Sequence, residues 1–391
     1  MIQINARQIY TPFRLPVNPI INVKHGKILA FGEDAFSDSL TVFDLTEYDL
    51  VPGLVELQIN GAFGVDFTRD PTQIFRVGKR LTELGVTIFL PTIITSPLDS
   101  FQKAMQIWKE GTPQDYNGAA IPGFHFEGPF INPEKKGAHR QEFIKKPSIE
   151  DFLDWKVENG VRLVTVAPEI PGVLEMISIL SGRGVIVSAG HSMATLEQMR
   201  EAVTAGIACG THLFNAMRPL DHRQAGMLGM LLTNDELKVG LIVDGTHLSP
   251  EIVKLVFRAK GEKNIFLVSD AMAALGLSPG EYELAGRAVF VDETSAHLED
   301  GTLAGSILTP TESLRNFQAY CGCTFEQALQ CWTTNPADLM GFTGHGRLAV
   351  GLQADLVALD DHGRVAATMI NGDWVYIAPW AKIVSERITR T

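Results

Sequence analysis

The feature that most limits the fold of this chain is a regular alternation between short apolar runs and helical patterns through its middle. We count about eight apolar runs, at 51–60, 86–94, 120–128, 161–167, 184–190, 206–213, 238–244 and 264–269. Each run is apolar on both faces, as the strands of a buried parallel sheet are. Eight strands that alternate with helices predict a (β/α)8 barrel of the α/β class. An open doubly wound sheet is the alternative, but it usually has fewer strands.

Capping residues mark the ends of several intervening helices. Ser249 and Pro250 come directly before the pattern EIVKLVFRAK, and Gly261 comes after it. A serine cap, a proline in the first turn and a glycine past the end are typical helix boundaries. Residues 309–312 (TPTE) and 324–327 (TFEQ) have the spacing of a capping box, which indicates two more helix starts.

The two ends of the chain differ from the middle, because they contain short β-like runs. At the N-terminus these runs are MIQINARQIY, PIINVKHGKILAFG and LTVFDL, and at the C-terminus they are GRLAVG, ADLVALD and ATMINGDWVY. We expect residues 1–50 and 345–391 to pair as a small β-sandwich domain. It would lie beside a catalytic barrel formed by residues 51–344.

Composition narrows the class of protein further. The chain has 391 residues, of which 45% are hydrophobic and 20% charged, so it can bury a large core and is not disordered. Its net charge of -12 disfavours nucleic acid as a partner. The N-terminus lacks the pattern of a signal peptide, no apolar run is long enough for a membrane span, and the four cysteines are most simply buried free thiols. We therefore expect a cytoplasmic protein without a membrane partner.

Polar side chains stand at the ends of six of the eight predicted strands, where barrel enzymes carry their chemistry. They are Gln58 and Asn60, His125 and Glu127, His191, His212 and Asn215, Asp244 and His247, and Asp270. A single histidine at a strand end is more often a structural residue than a ligand. The prediction of a site therefore rests on the whole group of residues and not on any one of them. Side chains at equivalent places in a barrel converge at one end of it, and the sequence therefore predicts one site there.

Three residues of this set, Glu127, His191 and His212, suit a divalent metal. One carboxylate and two imidazoles are ligands for zinc, with iron, manganese and cobalt as alternatives, and three protein ligands leave a place for water. Asp270 is then free to act as a base. The structural alternatives are a buried ion pair for Glu127 and a helix cap for Asp270.

Gln58 and Asn60 bear on the number of metals. They are two residues apart in a predicted strand, so their side chains point the same way. Many metal-dependent hydrolases have two histidines at this spacing and a carboxylated lysine after the fourth strand, where this chain has Glu169. A two-metal site of that kind is therefore not expected. The two amides could instead hold a water in place of a second metal, or hydrogen-bond neighbouring residues.

Several motifs together carry a resemblance to a known family. The most specific are HFEGPF, GHS, THLFNAM and SDAM, and VPGLVELQINGAFGVDF, KKGAH, VDGTH, LAGSILT and ADLVALD add to them. With these motifs the chain resembles the N-acetylglucosamine-6-phosphate deacetylases of the amidohydrolase superfamily, from about Val51 to Gly372. Some members have two histidines on the first strand, while others have glutamine and asparagine and use one metal. This chain follows the second pattern.

The resemblance implies a role for each matching position. Glu127, His191 and His212 would bind one divalent metal per subunit, and Asp270 would be the catalytic base. The substrate-binding positions would be His139, Asn215, Ala216, Arg223, His247 and Leu308.

The expected division of the substrate among these side chains also follows from the resemblance. Arg223 and His247 would bind the phosphate, His139 would reach the acetyl carbonyl or a sugar hydroxyl, and Leu308 would help form the acetyl pocket. In the family the arginine comes from the neighbouring subunit, so a homodimer is implied. Without the resemblance, Arg223 would be interpreted as a solvated surface charge.

The implied reaction is metal-dependent hydrolysis of the N-acetyl group of N-acetylglucosamine 6-phosphate, which gives glucosamine 6-phosphate and acetate. A metal-bound water would attack the amide carbonyl, with Asp270 as general base and then as general acid to the leaving nitrogen. Alternatives are a deacetylase for the galactosamine epimer or for another N-acyl amine, and a non-catalytic barrel that binds sugar phosphates. The last is disfavoured because all three candidate ligands and the base are present.

Overall fold

A computed structural model describes residues 1–15, 18–32 and 39–389 of the chain. In this part of the chain, the strands form two sheets of eight strands each and two smaller sheets. Residues 16, 17, 33–38, 390 and 391, which belong to the predicted terminal domain, lie outside the described residues.

One large sheet is built from both ends of the chain. Its strands are β1 (Ile2–Ile9), β2 (Ile20–Lys24), β3 (Lys27–Phe31), β4 (Ser39–Pro52), β18 (Leu356–Leu359), β19 (Val365–Ile370), β20 (Asp373–Ile377) and β21 (Val384–Thr389). The long strand β4 joins the two ends, because it pairs in parallel with β1 on one side and antiparallel with β18 and β21 on the other. The predicted pairing of the terminal segments is confirmed. The domain boundaries at 50/51 and 344/345 stay a prediction, and β4 continues to Pro52 across the first of them.

The second large sheet is the barrel. Its strands are β5 (Leu54–Ile59), β8 (Val86–Ile94), β9 (Phe124–Glu127), β10 (Val161–Val166), β11 (Ile186–Ala189), β12 (Ile207–Gly210), β13 (Lys238–Leu241) and β14 (Ile265–Leu267). Each strand pairs in parallel with the next, and each lies within one of the eight apolar runs of the sequence. A parallel bridge between Ile59 and Ala271 brings the last strand back towards the first. The predicted (β/α)8 barrel is therefore confirmed.

The interior of the barrel is filled by apolar side chains below the carboxyl ends of the strands. One buried cluster contains Ile88, Leu90, Leu163, Phe266 and Val268. Phe266 and Val268 share a face of the chain with Asp270, because side chains two residues apart in an extended segment point the same way. The apolar filling therefore supports the polar residues at one end of the barrel.

Nine α-helices lie in the described part of the chain, and none of them has the length and apolarity needed to cross a membrane. They are α1 (Ile74–Leu81), α2 (Leu98–Glu110), α3 (Val173–Gly182), α4 (Leu196–Ala205), α5 (Gly226–Thr233), α6 (Pro250–Lys260), α7 (Pro310–Cys321), α8 (Phe325–Trp332) and α9 (Thr334–Met340). The predicted ends of α6 are confirmed, although the Ser249 side chain makes no capping hydrogen bond. Both predicted capping boxes are present, at the starts of α7 and α8.

The alternation of strands and helices is broken once, after β9. Residues 128–160, all of which the structure describes, contain only short 3-10 helices, at Pro133–Lys135, Gln141–Phe143, Ile149–Phe152 and Val157–Asn159. Aromatic rings cover the strand in place of a helix. The Trp155 ring centroid lies 5.0 Å from that of Phe126 and 5.7 Å from that of Phe130. Large aromatic side chains bury enough area to replace the apolar face of a helix.

Two small sheets complete the fold near the carboxyl ends of the barrel strands. They contain β6 (Gly61–Ala62) with β7 (Val65–Asp66), and β15 (Gly280–Leu284) with β16 (Arg287–Val291) and β17 (Ala296–His297). The two sheets are joined where the Asp66 carboxylate accepts a hydrogen bond from the Ala285 backbone N–H at 2.5 Å. The sequence analysis did not predict the three-stranded insertion after β14.

Candidate active site

A cavity of about 340 Å³ lies at the carboxyl ends of the barrel strands. Most of the residues selected from the sequence line it. These are Asn60, Glu127, His139, His191, His212, Asn215, Ala216, His247 and Asp270. They come from different strand ends, so the barrel brings together side chains that are far apart in the sequence, as this fold does in general.

The three predicted ligands form a tight triangle of atoms in this cavity. Glu127 Oε1 lies 3.1 Å from His191 Nε2 and 3.0 Å from His212 Nε2, and the two histidine nitrogens are 3.1 Å apart. All three side chains are buried. Glu127 is the last residue of β9. His191 lies two residues after the end of β11, and His212 lies two residues after the end of β12.

The donor set fits a divalent cation. His191 Nδ1 lies 2.7 Å from the Lys135 carbonyl oxygen, which can only accept, so this nitrogen is the N–H donor and Nε2 keeps its lone pair. That lone pair faces the Glu127 carboxylate oxygen and His212 Nε2. Electron-rich atoms at this distance repel each other unless a proton or a metal ion lies between them. In tetrahedral zinc sites with bonds of about 2.0–2.1 Å the ligand atoms lie roughly 3.3–3.4 Å apart, close to this triangle.

His139 lies beside the triangle. Glu127, His139 and His191 also place one ligand atom each within 4.8 Å of one another. However, His139 Nδ1 is already engaged at 2.7 Å with the Thr95 hydroxyl. Burial, and then the neighbouring His191, hold the pKa of His139 well below its usual value, so its imidazole is neutral. The triangle with His212 is the tighter of the two sets.

The two carboxylates of the site differ in their surroundings. Burial alone would raise the pKa of Glu127, but hydrogen bonds with His191 and His212 hold it well below its usual value. Burial raises the pKa of Asp270 to about 6, and the charge of Glu127 adds to the rise. One carboxylate is thus held ionised by its hydrogen bonds, and the other is placed to take up a proton.

Gln58 makes hydrogen bonds to both carboxylates, and Asn60 makes one to the carboxylate of Asp270. Gln58 Nε2 donates to Asp270 Oδ1 at 3.1 Å and to Glu127 Oε2 at 3.3 Å. Asn60 Nδ2 donates to Asp270 Oδ1 at 2.8 Å. These contacts are one of the two roles left open by the sequence, in which the amides bond their neighbours, and the water-holding role stays a prediction.

The other predicted substrate residues divide into two groups. Asn215 and Ala216 line the cavity, and so does His247, whose Nδ1 lies 2.6 Å from Asp244 Oδ2. Arg223 is exposed and outside the cavity lining, and Leu308 packs in the buried cluster inside the barrel. The roles of these two residues stay predictions.

Some residues of the site were missed by the sequence analysis. Leu284 and Leu303, from the insertion after β14 and the segment that follows it, line the cavity. Leucine at these positions has no pattern that distinguishes it from a core residue. The Lys135 carbonyl that orients His191 also could not be identified from the sequence, because every residue carries a backbone carbonyl. Thr95, the residue directly after the second barrel strand, is a polar side chain that a search for hydrogen-bonding groups there could have found.

Comparison with known proteins relates this site to a family. The amidohydrolase family matches residues 50–375 of the chain. The N-acetylglucosamine-6-phosphate deacetylase of Homo sapiens is 40% identical over 351 residues, which cover 85% of this chain and 85% of the human protein. The one of Lysinibacillus sphaericus is 36% identical over 343 residues, which cover 87% of this chain and 89% of that protein.

Solved structures agree with these similarities. A crystal structure of the N-acetylglucosamine-6-phosphate deacetylase of Thermotoga maritima has a TM-score of 0.88 at 31% identity, and the match covers 96% of this chain and 100% of the other. A second structure is that of the N-acetyl-D-glucosamine-6-phosphate deacetylase of Mycobacterium smegmatis, in a variant with an aspartate replaced by alanine and in complex with N-acetyl-D-glucosamine-6-phosphate. It has a TM-score of 0.88 at 31% identity, and the match covers 96% of this chain and 99% of the other. The chain therefore belongs to the amidohydrolase family, and within it to the N-acetylglucosamine-6-phosphate deacetylases.

Proposed function

We propose that this protein hydrolyses the N-acetyl group of N-acetylglucosamine 6-phosphate and releases glucosamine 6-phosphate and acetate. The observation that carries the proposal is the convergence of the Glu127, His191 and His212 triangle with Asp270 in one cavity. The relatives named above, one of them with this sugar phosphate in its structure, support the choice of substrate.

Glu127, His191 and His212 would hold one divalent metal, with zinc as the first choice and iron, manganese or cobalt as alternatives. When bound, such a metal polarises a carbonyl oxygen and lowers the pKa of water towards roughly 7. The two amides at the end of β5, Gln58 and Asn60, occupy the position where a histidine pair could bind a second metal. This supports one metal per subunit.

Asp270 carries the proton in the proposed reaction. It takes a proton from the water that attacks the acetyl carbonyl, and later gives this proton to the amine nitrogen as the C–N bond breaks. An amine leaves as a neutral molecule only if it is protonated, so the same carboxyl group serves both steps. The raised pKa of Asp270, about 6, suits a group that must accept and release a proton near neutral pH.

The remaining cavity residues would hold the substrate. A neutral His139 can donate from Nε2 to the carbonyl oxygen when the Thr95 hydroxyl donates to its Nδ1. His247, oriented by Asp244, would contact the phosphate together with Arg223 of a neighbouring subunit in a homodimer. Arginine suits this task, because its planar guanidinium matches a phosphate and stays charged.

The proposal is tested by acetate release from N-acetylglucosamine 6-phosphate with the purified protein, with and without a chelator. The unphosphorylated sugar and the galactosamine epimer are assayed beside it. We expect release that depends on metal and on the phosphate, with slower release from the epimer. Release from none of the sugars by metal-loaded protein would overturn the proposal, and faster release from the epimer would change the substrate.

A further inference from the structure

We infer that Gln58 and Asn60 are positioning residues that hold one oxygen of Asp270, so that the other oxygen carries the proton of the reaction. The inference rests on the proposed function, in which Asp270 transfers that proton. It differs from the roles expected for a replaced metal ligand, because neither amide needs a water or a metal to act.

The side-chain geometry gives the first argument. Asp270 Oδ1 accepts two hydrogen bonds, one from Gln58 Nε2 at 3.1 Å and one from Asn60 Nδ2 at 2.8 Å. Among the described residues no side chain or backbone group donates to the second oxygen, Oδ2. Asp270 lines the cavity, so Oδ2 is the oxygen available to a ligand there.

The backbone gives the second argument, because the same segment of β5 also holds the main chain of Asp270. The Asp270 N–H donates to the Gln58 carbonyl oxygen at 2.9 Å, and the Asn60 N–H donates to the Ala271 carbonyl oxygen at 2.8 Å. Asn60 Nδ2 additionally lies 3.3 Å from the Asp270 carbonyl oxygen. Asp270 has a φ of 50°, in the left-handed region that non-glycine residues rarely adopt, so it depends on such contacts.

The orientation of Asn60 gives the third argument. Its side-chain oxygen Oδ1 is buried and has no hydrogen-bond partner. Leaving a buried acceptor unpaired is unfavourable, and rotating the amide would offer that oxygen to the carboxylate of Asp270 instead. The amide therefore keeps both N–H groups on Asp270 and leaves its own acceptor unsatisfied.

The chemical consequence concerns the two oxygens of one carboxylate. The lone pairs of Oδ1 are engaged by two donors, so a proton arriving from water binds Oδ2. In that step the water O–H bond breaks, its electron pair stays on the water oxygen, and an Oδ2–H bond forms. In the return step the Oδ2–H bond breaks and an N–H bond forms on the leaving amine.

The test uses Asn60→Leu, which removes the donors, and Asn60→Asp, which replaces them with a second carboxylate. Asn335→Leu is the matched control, because Asn335 is also a buried amide and donates at 2.6 Å to the Glu262 and Ile265 carbonyl oxygens near the other end of β14. For each variant we measure kcat, KM, bound metal and the urea midpoint, and solve a crystal structure of the Asn60 variants.

Loss of hydrogen bonds to a charged group predicts a fall in kcat of roughly 10- to 100-fold for Asn60→Leu and a larger fall for Asn60→Asp. KM and bound metal should stay within about twofold of the parent, and the crystal structures should show the Asp270 carboxylate rotated. Asn335→Leu should lower the urea midpoint and leave kcat within about twofold.

A kcat near that of the parent in both Asn60 variants would overturn the inference, and so would a fall in kcat that follows the loss of metal or of stability. If the parent protein hydrolyses none of the sugars, the proposed function fails separately. The crystal structures then decide the positioning role, which is refuted by an Asp270 carboxylate that stays in place without Asn60.

Discussion

Individual residues at the strand ends depend on an unusual backbone to reach the cavity. His191, His212 and Asp270 have φ values of 49°, 29° and 50°, in the left-handed region. Non-glycine residues held in this way cost of order 1–3 kcal/mol each, and such strain persists only where the surrounding contacts determine it. Here the contacts are the hydrogen bonds of His191 to the Lys135 carbonyl and of Asp270 to β5.

The proposed role of Asp270 predicts the result of Asp270→Asn. The oxygen of the new side-chain amide can still accept the hydrogen bonds from Gln58 and Asn60. Its NH2 group, which replaces Oδ2, cannot take up a proton. We expect metal binding to persist and kcat to fall roughly 100- to 10,000-fold, the range for loss of a general base. Metal analysis and steady-state kinetics check this, with Asp361→Asn at an exposed site as the control. A kcat close to that of the parent would reject Asp270 as the base.

The predicted role of Arg223 is tested by Arg223→Ala. Loss of a charged hydrogen-bond donor to phosphate should raise KM for the phosphorylated sugar roughly 10- to 100-fold and change kcat less. Arg200→Ala, at an exposed arginine of α4, should leave KM unchanged. An unaltered KM in Arg223→Ala would contradict the assignment to the phosphate.

At the scale of elements, the segment after β9 substitutes aromatic packing for a helix. Trp155 is 2% exposed and contacts the rings of Phe101, Phe126 and Phe130. This segment also carries His139 and the Lys135 carbonyl, so its packing supports the site as well as the barrel wall.

Trp155→Ala should therefore lower the free energy of unfolding by about 3–5 kcal/mol, because it removes a large buried ring and leaves a cavity. Trp380→Ala is the control, since Trp380 is 41% exposed, and it should change stability by less than about 1 kcal/mol. Urea denaturation measures both. Equal effects of the two substitutions would show that the aromatic cluster is not what holds this segment.

In the described part of the chain, a carboxyl group without a basic partner lies at the seam between β5 and β14. Glu56 is buried there and accepts hydrogen bonds from the backbone N–H groups of Gln58 at 2.9 Å and Ser269 at 3.0 Å. Burial raises the pKa of Glu56 to about 8, above the value of roughly 4.3 in an unfolded chain. Between these values the folded protein binds the proton and the unfolded chain does not, so stability falls as pH rises from about 4.5 to about 8.

Glu56→Gln removes this titration. The free energy of unfolding of the parent should fall relative to that of the variant by about 1 kcal/mol per pH unit between pH 5 and 8. Only the slope is compared, so a constant difference between the proteins does not matter. Parallel pH profiles of the two proteins would mean that Glu56 is already ionised at pH 5.

At the scale of the whole molecule, the proposed metal site would join β9, β11 and β12 through one ion. A metal that binds only the folded state stabilises it by RT ln(1 + [L]/Kd), or about 2.7 kcal/mol at a free metal concentration 100 times Kd. Chelation should therefore lower Tm, and zinc should restore it. In His191→Asn, which lacks one ligand nitrogen, zinc should raise Tm much less. An equal response in parent and variant would exclude His191 from the metal site.

The sequence is enough to predict the eight barrel strands, the ends of α6 and the capping boxes of α7 and α8, because these depend on residues within a few positions of each other. It also predicts that Glu127, His191, His212 and Asp270 lie together, since equivalent strand ends in a barrel meet at one end of it, and all four line one cavity. The tertiary structure decided the rest. Gln58 bonds Asp270 across 212 positions in the sequence, and only closure of the barrel makes that contact. The same holds for the aromatic cluster after β9 and for the insertion beside the cavity. Both depend on contacts between residues far apart in the sequence, which local sequence patterns do not predict.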